Sequence, residues 1–149
     1  MIRVAIASPQ AIVKIDRRRM RETVRAVLLA EGVIQAEIGL AFVDNDTIRR
    51  LNQRYLNHDE PTDVLSFPLS EAGQKNTVGE LVIGAEVALA EAQEGKHDVH
   101  AELTLYVIHG LLHLCNFDDK TTSSAAVMRR REREHLKRLG LPDIVPKDA

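Results

Sequence analysis

Apolar and polar positions along the chain fall into segments of two periods. Residues 1–7 alternate loosely and predict a first strand. Behind Asp16, a good N-cap, Met20, Val24, Val27 and Leu28 recur at helical spacing, and Gly32 predicts the stop of a helix ending near Glu31. Its opposite side carries Arg17, Arg18, Arg21 and Arg25. Residues 37–43 predict a second strand with Ile38, Leu40 and Phe42 on one face. Asp44-Asn45-Asp46 caps a short helix whose apolar positions are Ile48, Leu51 and Tyr55. Pro61 and Pro68 bracket one short strand over 64–67, placed at a sheet edge by Pro68. A polar loop over 71–78 leads to a strand over 79–84 and a helix over 85–93 closed by Gly95. His97 or Asp98 opens a long helix through Leu114, followed by Asn116, which tolerates a left-handed turn. A last helix runs from about Ser123 to Leu139 and ends at Gly140 and Pro142. The order β-α-β-α-β-β-α-α-α predicts an α+β fold, a single mixed β-sheet covered by helices.

Composition narrows the function classes. At 149 residues the chain is expected to form a single domain, 1–149, large enough for one core without disulfides. The lone Cys115 excludes an intramolecular disulfide and a cysteine-based zinc finger, and fits a reducing compartment. No apolar run approaches a membrane span and the first apolar stretch is too short for a signal peptide, so a soluble, cytoplasmic protein with no membrane partner is expected. Twenty Lys and Arg against 22 Asp and Glu argue against bulk-charge coating of nucleic acid. Three Phe, two Tyr and no Trp leave almost nothing for an aromatic stacking platform of the RRM or OB type. The runs Arg129 to Arg131 with Arg133 and Lys137, like the Arg17 to Arg25 stripe, are expected to be solvated faces.

The candidate chemistry lies in YVIHGLLHLCNFDDK. His109 and His113, four apart on a helix, put two imidazoles on one face one turn apart, the arrangement by which two ligands reach one metal. Two core histidines satisfied by hydrogen bonds give the same spacing. The flanking sequence is apolar nearly all round, which marks a central buried helix whose imidazoles need partners. Asp118 and Asp119 follow within one turn of chain, and either carboxylate can fold back as a third ligand. Gly110 stands where a HExxH peptidase places its general-base Glu, so that mechanism is disfavoured, and a small residue there lets another element pack close. Cys115, about 240° round from His109, reads as a small buried hydrophobe. On the last helix Glu132 shares the stripe of Met128, Leu136 and Leu139, so it needs a partner. An ion pair with an arginine is the commoner arrangement; an acceptor for the free N–H of a ligand histidine is the sharper one.

Three segments resemble the YbeY family of single-strand endoribonucleases, the bacterial rRNA maturation factors. LNQRYLNHDEPTDVLSFPL at 51–69 is similar to the family's LNxxYRxxDxPTDVLSFP, GELVIG at 79–84 to its glycine-acidic strand opening, and HGLLHLCNFDD at 109–119 to HGxLHLxGYDH. The resemblance implies a zincin-like arrangement in which the central helix carries the metal-ligand histidines. It implies one zinc ion held by His109, His113 and Asp119, the last at the position where the family usually has His. Asp118 matches the family's own Asp and is the rival candidate. Leu56 stands where the family has Arg, a residue suited to phosphate, and Arg54 is the nearest substitute in sequence. The implied activity is metal-assisted phosphodiester hydrolysis, with a coordination position open for water. RNA backbone is then expected in a groove near Arg54, Thr62, Asp63 and Ser66, where the hydroxyls can donate to phosphate. The implied partners are single-stranded rRNA and the small ribosomal subunit or its assembly factors. Two other readings remain: a non-catalytic ribosome-assembly factor whose metal pins the fold, and a metallohydrolase of another class such as a peptidase. No residue is assigned the role of general base.

Overall fold

The computed structural model describes residues 1–147. The elements are β1 (Ile2–Ala7), α1 (Arg17–Ala30), β2 (Ala36–Val43), α2 (Asn45–Leu56), β3 (Val64–Pro68), β4 (Thr77–Gly84), α3 (Ala85–Gly95), α4 (Val99–Leu114) and α5 (Thr122–Arg138). They form one four-stranded mixed sheet in the order β1-β2-β4-β3. β2 pairs parallel with β1 and β4, and β3 pairs antiparallel with β4. The α+β class with a single mixed sheet is therefore the observed one.

The sheet has a core face and an outer face. Ile38, Leu40 and Phe42 of β2 align with Leu81 and Ile83 of β4, all but buried, and α4 packs across them. α4 lies at the centre, touching α1, α3, α5, β3 and β4. Nearly every residue from Ala101 to Leu112 is buried, consistent with its all-round apolar sequence. On the outer face α2 covers a smaller cluster of Val43, Ile48 and Leu65.

Pro68 fits the edge strand for a specific reason. The bonds Gly84 N–H to Asp63 C=O (2.8 Å) and Leu69 N–H to Val78 C=O (2.9 Å) fix the alternation of the β3–β4 ladder. Residues 63, 65, 67 and 69 then face β4, while Val64, Ser66 and Pro68 point their backbone groups to the open edge, where a missing N–H breaks no ladder bond.

The caps follow the sequence: Asp16, Asp44 and Asp98 accept backbone N–H bonds from Arg19, Thr47 and His100. Asn116 takes the left-handed turn after α4, with φ of 71°. Four expectations change. β4 starts at Thr77 rather than 79, because Thr77 N–H bonds Gln35 C=O (3.0 Å), a backbone pairing with no hydrophobic signature. α3 runs through Gly95, and Lys96, not the glycine, takes the left-handed conformation. A Cβ at Gly95 would lie 2.6 Å from the His97 ring, so a side chain there would have to displace that ring. α5 starts at Thr122 behind a Thr121–Ser124 capping box. Tyr55, expected on the buried stripe of α2, is 56% exposed; Asn52 is buried instead, its amide donating to Glu60 C=O at 2.9 Å.

Candidate metal centre

α4 sets His109 and His113 one turn apart near its C-terminal end. Between them, Gly110 lets the sheet approach: a Cβ there would come within 2.9 Å of both Leu81 Cδ atoms and 3.2 Å of Val64 Cγ2. The small residue thus brings β3 and β4 close to the imidazoles. The helix stops at Leu114, and its last carbonyls give this end a partial negative charge that favours a cation.

The ring geometry is the informative feature. The two rings lie edge to face, centroids 4.7 Å apart at 80°, with His109 Nε2 and His113 Nε2 separated by 3.1 Å. Each outer nitrogen faces an acceptor: His109 Nδ1 lies 2.6 Å from Glu132 Oε2, and His113 Nδ1 lies 3.2 Å from the Phe117 carbonyl oxygen. In the neutral rings both Nδ1 atoms therefore carry the proton, and both Nε2 lone pairs converge on one point. Asp119 Oδ2 stands 3.7 Å from His109 Nε2 and 3.9 Å from His113 Nε2. The three ligand atoms lie within 4.8 Å of one another.

Two lone pairs and a carboxylate facing each other repel unless a cation stands between them. Tetrahedral ligands at zinc–nitrogen distance sit about 3.3 Å apart, close to the observed imidazole separation. Two imidazoles with one carboxylate are a donor set suited to zinc. The residues fit a divalent ion.

Electrostatics separate the two rings. Burial alone pushes the His109 pKa down, but the hydrogen bond and charge of Glu132, with Asp63 and Asp119, outweigh it and hold the value above the usual imidazole range. Burial and the neighbouring His109 charge lower His113. His109 is therefore the more basic of the two rings.

Asp118 is turned elsewhere. Its Oδ1 accepts from Lys120 N–H at 3.1 Å, and bonds from the Ser124 hydroxyl and the Lys120 amide hold its pKa down. Glu132, buried on α5, bonds His109. Arg131 on this helix pairs instead with Glu31, which also takes the buried His135, at 2.6 Å from its Nε2. That pair joins residues 104 positions apart, and no local pattern announces it. Cys115 is half-buried against the core, its thiol pushed up to about 11 by burial and by Glu31.

A groove of about 540 Å³ opens beside the histidines. It is lined by Tyr55 and Leu56 at the end of α2, by all of β3, and by His109, His113 and Leu114 of α4. Ser66 is on this wall, its hydroxyl donating to Gly110 C=O at 3.5 Å. Arg54, Thr62 and Asp63 do not line the groove. Arg54 sits over its neighbour's ring, with its guanidinium carbon 5.5 Å from the Tyr55 centroid. The Thr62 hydroxyl donates to Asp63 Oδ1 (3.2 Å), and that oxygen also accepts from Val64 N–H (2.7 Å), so the pair shapes the start of β3. Leu56, singled out as the position where the family has Arg, lines the groove, whereas Tyr55 and Phe67 were missed as wall residues; the alternation of β3 was the signal for Phe67, since it turns Leu65 and Phe67 toward α2.

A mixed sheet packed on a helix that presents two imidazoles beside a carboxylate defines an α+β protein with a candidate metal site. The family model described as endoribonuclease YbeY matches residues 5–140. An endoribonuclease YbeY of Syntrophus aciditrophicus is 37% identical over 137 residues, covering 88% of this chain and 86% of that protein. One of Salinibacter ruber is 36% identical over 130 residues, covering 83% of each. The solution structure of a Thermotoga maritima protein matches with a TM-score of 0.63 at 25% identity, over 99% of this chain and 100% of that one. The chain belongs to the endoribonuclease YbeY family.

Proposed function

We propose that this chain is a zinc-dependent, single-strand endoribonuclease that hydrolyses phosphodiester bonds during maturation of ribosomal RNA, working as one domain in the cytoplasm with the small ribosomal subunit or its assembly factors as partner. The observation that carries the reading is the pair of Nε2 lone pairs 3.1 Å apart with Asp119 beside them, opening on a groove of about 540 Å³. Family membership supplies the reaction class, and the relatives' name supplies RNA as the substrate.

His109, His113 and Asp119 would hold the ion, which when bound supplies Lewis acidity to a phosphoryl oxygen and acidifies a water. Glu132 fixes the tautomer and orientation of His109, and the Phe117 carbonyl does the same for His113. The Ser66 hydroxyl, on the groove wall beside Gly110, is placed to turn and donate to a phosphate oxygen. The test is cleavage of a single-stranded RNA by zinc-loaded protein, with His113→Ala as control. Cleavage that depends on His113 is expected; equal cleavage by both proteins identifies a contaminant.

A second reading is favoured by Leu56. This apolar side chain, 55% exposed, stands on the groove wall where the family pattern has Arg. On that reading the metal pins the fold of a non-catalytic assembly factor. Chelation would then lower the melting temperature while reloaded protein associates with ribosomes and cleaves nothing.

A further inference from the structure

Two of the chain's five aromatic side chains, Phe42 and Tyr106, are buried in the core. Two others meet on the groove wall: Tyr55 and Phe67, ring centroids 5.4 Å apart and edge to face at 72°. Tyr55 is 56% exposed, so much of its ring is open. Leu56, Pro68 and Leu114 line the same groove. His109 and His113 line it too; the Tyr55–Phe67 stretch of it is apolar and aromatic. That stretch is unsuited to a phosphate and suited to the π-face of a base. The Arg54 cation beside Tyr55 suits the phosphate that accompanies a stacked base.

The polar contribution comes from backbone. Residues of both faces of β3 line the groove and none of β4 does, so the groove follows the strand's open edge. The ladder alternation points the Ser66 N–H and C=O, with the Val64 C=O, along that edge. An adjacent donor and acceptor are what the hydrogen-bonding edge of a nucleobase requires, and only an unpaired base offers that edge.

We infer that the Tyr55–Phe67 wall and the open edge of β3 form a nucleobase subsite, which receives one unpaired base next to the phosphate presented to His109 and His113. The inference rests on the endoribonuclease reading and adds to it a residue-level basis for choosing substrate. Tyr55 touches the base, so it is a binding residue and has no part in the bond-breaking step.

The experiment moves a single abasic nucleotide through a short single-stranded RNA and measures KM and kcat with zinc-loaded protein, wild type, Tyr55→Ala and Tyr55→Phe. For wild type, one abasic position beside the cut is expected to raise KM about five- to hundredfold, the usual range for losing one stacked base. Tyr55→Ala should raise KM for intact RNA by a similar factor, and the abasic penalty should vanish in it. Tyr55→Phe should behave as wild type, and it controls for folding because it keeps the ring against Phe67. A penalty that is the same at every position, or that survives intact in Tyr55→Ala, overturns the subsite while leaving the nuclease reading standing. Failure of wild type to cleave intact RNA overturns the nuclease reading and the subsite together. Should the open edge of β3 instead accept an extended peptide, Tyr55→Ala would leave every RNA parameter unchanged, which also refutes the inference.

Discussion

Replacing Glu132 by Gln isolates the one charge that orients the metal centre from inside the fold. The carboxylate is 4% exposed and lies 2.6 Å from His109 Nδ1. Glutamine keeps an oxygen acceptor for that N–H and removes the charge. A hydrogen bond to a charged group contributes about 1.5–3 kcal/mol, and each 1.4 kcal/mol is tenfold in affinity. The glutamine keeps a neutral bond of about 0.5–1.5 kcal/mol, so the expected loss is the difference, about 1–1.5 kcal/mol or roughly tenfold, the low end of what changing such a partner of a metal-bound histidine produces. The size of the effect should depend on pH in a definite sense. Glu132 also holds the His109 pKa above its ordinary value, so in the wild type a proton competes with the metal as pH falls through that raised value. Glu132→Gln weakens the competitor as well as the metal. The affinity loss should therefore be largest on the alkaline side and should shrink on the acid side. Chelator competition for zinc across that pH range measures both quantities, and thermal unfolding of the metal-free variant shows that the fold persists. Unchanged zinc affinity, or a loss that grows toward acid pH, would refute the reasoning.

Four further outcomes follow from the same geometry. Asp119→Asn should weaken zinc binding by at least tenfold while Asp118→Asn leaves it unchanged, because only Asp119 faces the imidazoles; isothermal titration of both variants decides the matter. Zinc at a hundredfold excess over its dissociation constant should add about 2.7 kcal/mol of stability, a rise in melting temperature of a few degrees, and scanning calorimetry with and without chelator will register it. Gly84→Ala places a Cβ 2.6 Å from the Thr62 carbonyl oxygen, a backbone atom with nowhere to go, and should cost about 1–3 kcal/mol by urea denaturation. Leu56→Arg adds a cation to the groove wall and should tighten RNA binding, with the salt dependence steepening by about 0.7 for one single-strand phosphate contact; a flat salt slope would place residue 56 away from the RNA path.

Period and caps are enough to read the order of elements, since the amphipathic helices and the strands each bury one local stripe and α4 is apolar nearly all round. Asp16, Asp44, Asp98 and Asn116 act within a few residues of where they stand, so their roles were visible too. The start of β4 was not, because Thr77 is held by backbone pairing to Gln35 and needs no apolar side chain. Tyr55 was misplaced for a related reason: an aromatic at helical spacing looks like core until the sheet edge beneath it is known. The composition counts rings without placing them; the fold sets two of the five, Tyr55 and Phe67, on the groove wall. Partnerships across long separations leave little local trace: the apolar stripe around Glu132 shows that it needs a partner without saying which, and nothing marks His135 for Glu31. Glu132 with His109 and His135 with Glu31 both join elements that meet only in the folded chain.

The centre is built by two local devices acting on one helix. Gly110 removes the side chain that would hold β3 and β4 away, so the open edge of β3 comes to lie beside the imidazoles rather than a full side chain further out. The stop at Leu114, followed by the left-handed Asn116, reverses the chain within one turn. That reversal does two things at once: it points the Phe117 carbonyl at His113 Nδ1, and it returns Asp119 to the two Nε2 atoms. An ordinary helical continuation would carry both groups away along the axis. The spacing between His113 and Asp119 is therefore as much a part of the centre as the ligands themselves, and α5, beginning just beyond, adds Glu132 from the other side of the same turn. A site assembled this way depends on the backbone path of residues 114–119 for both the approach of Asp119 and the tautomer of His113.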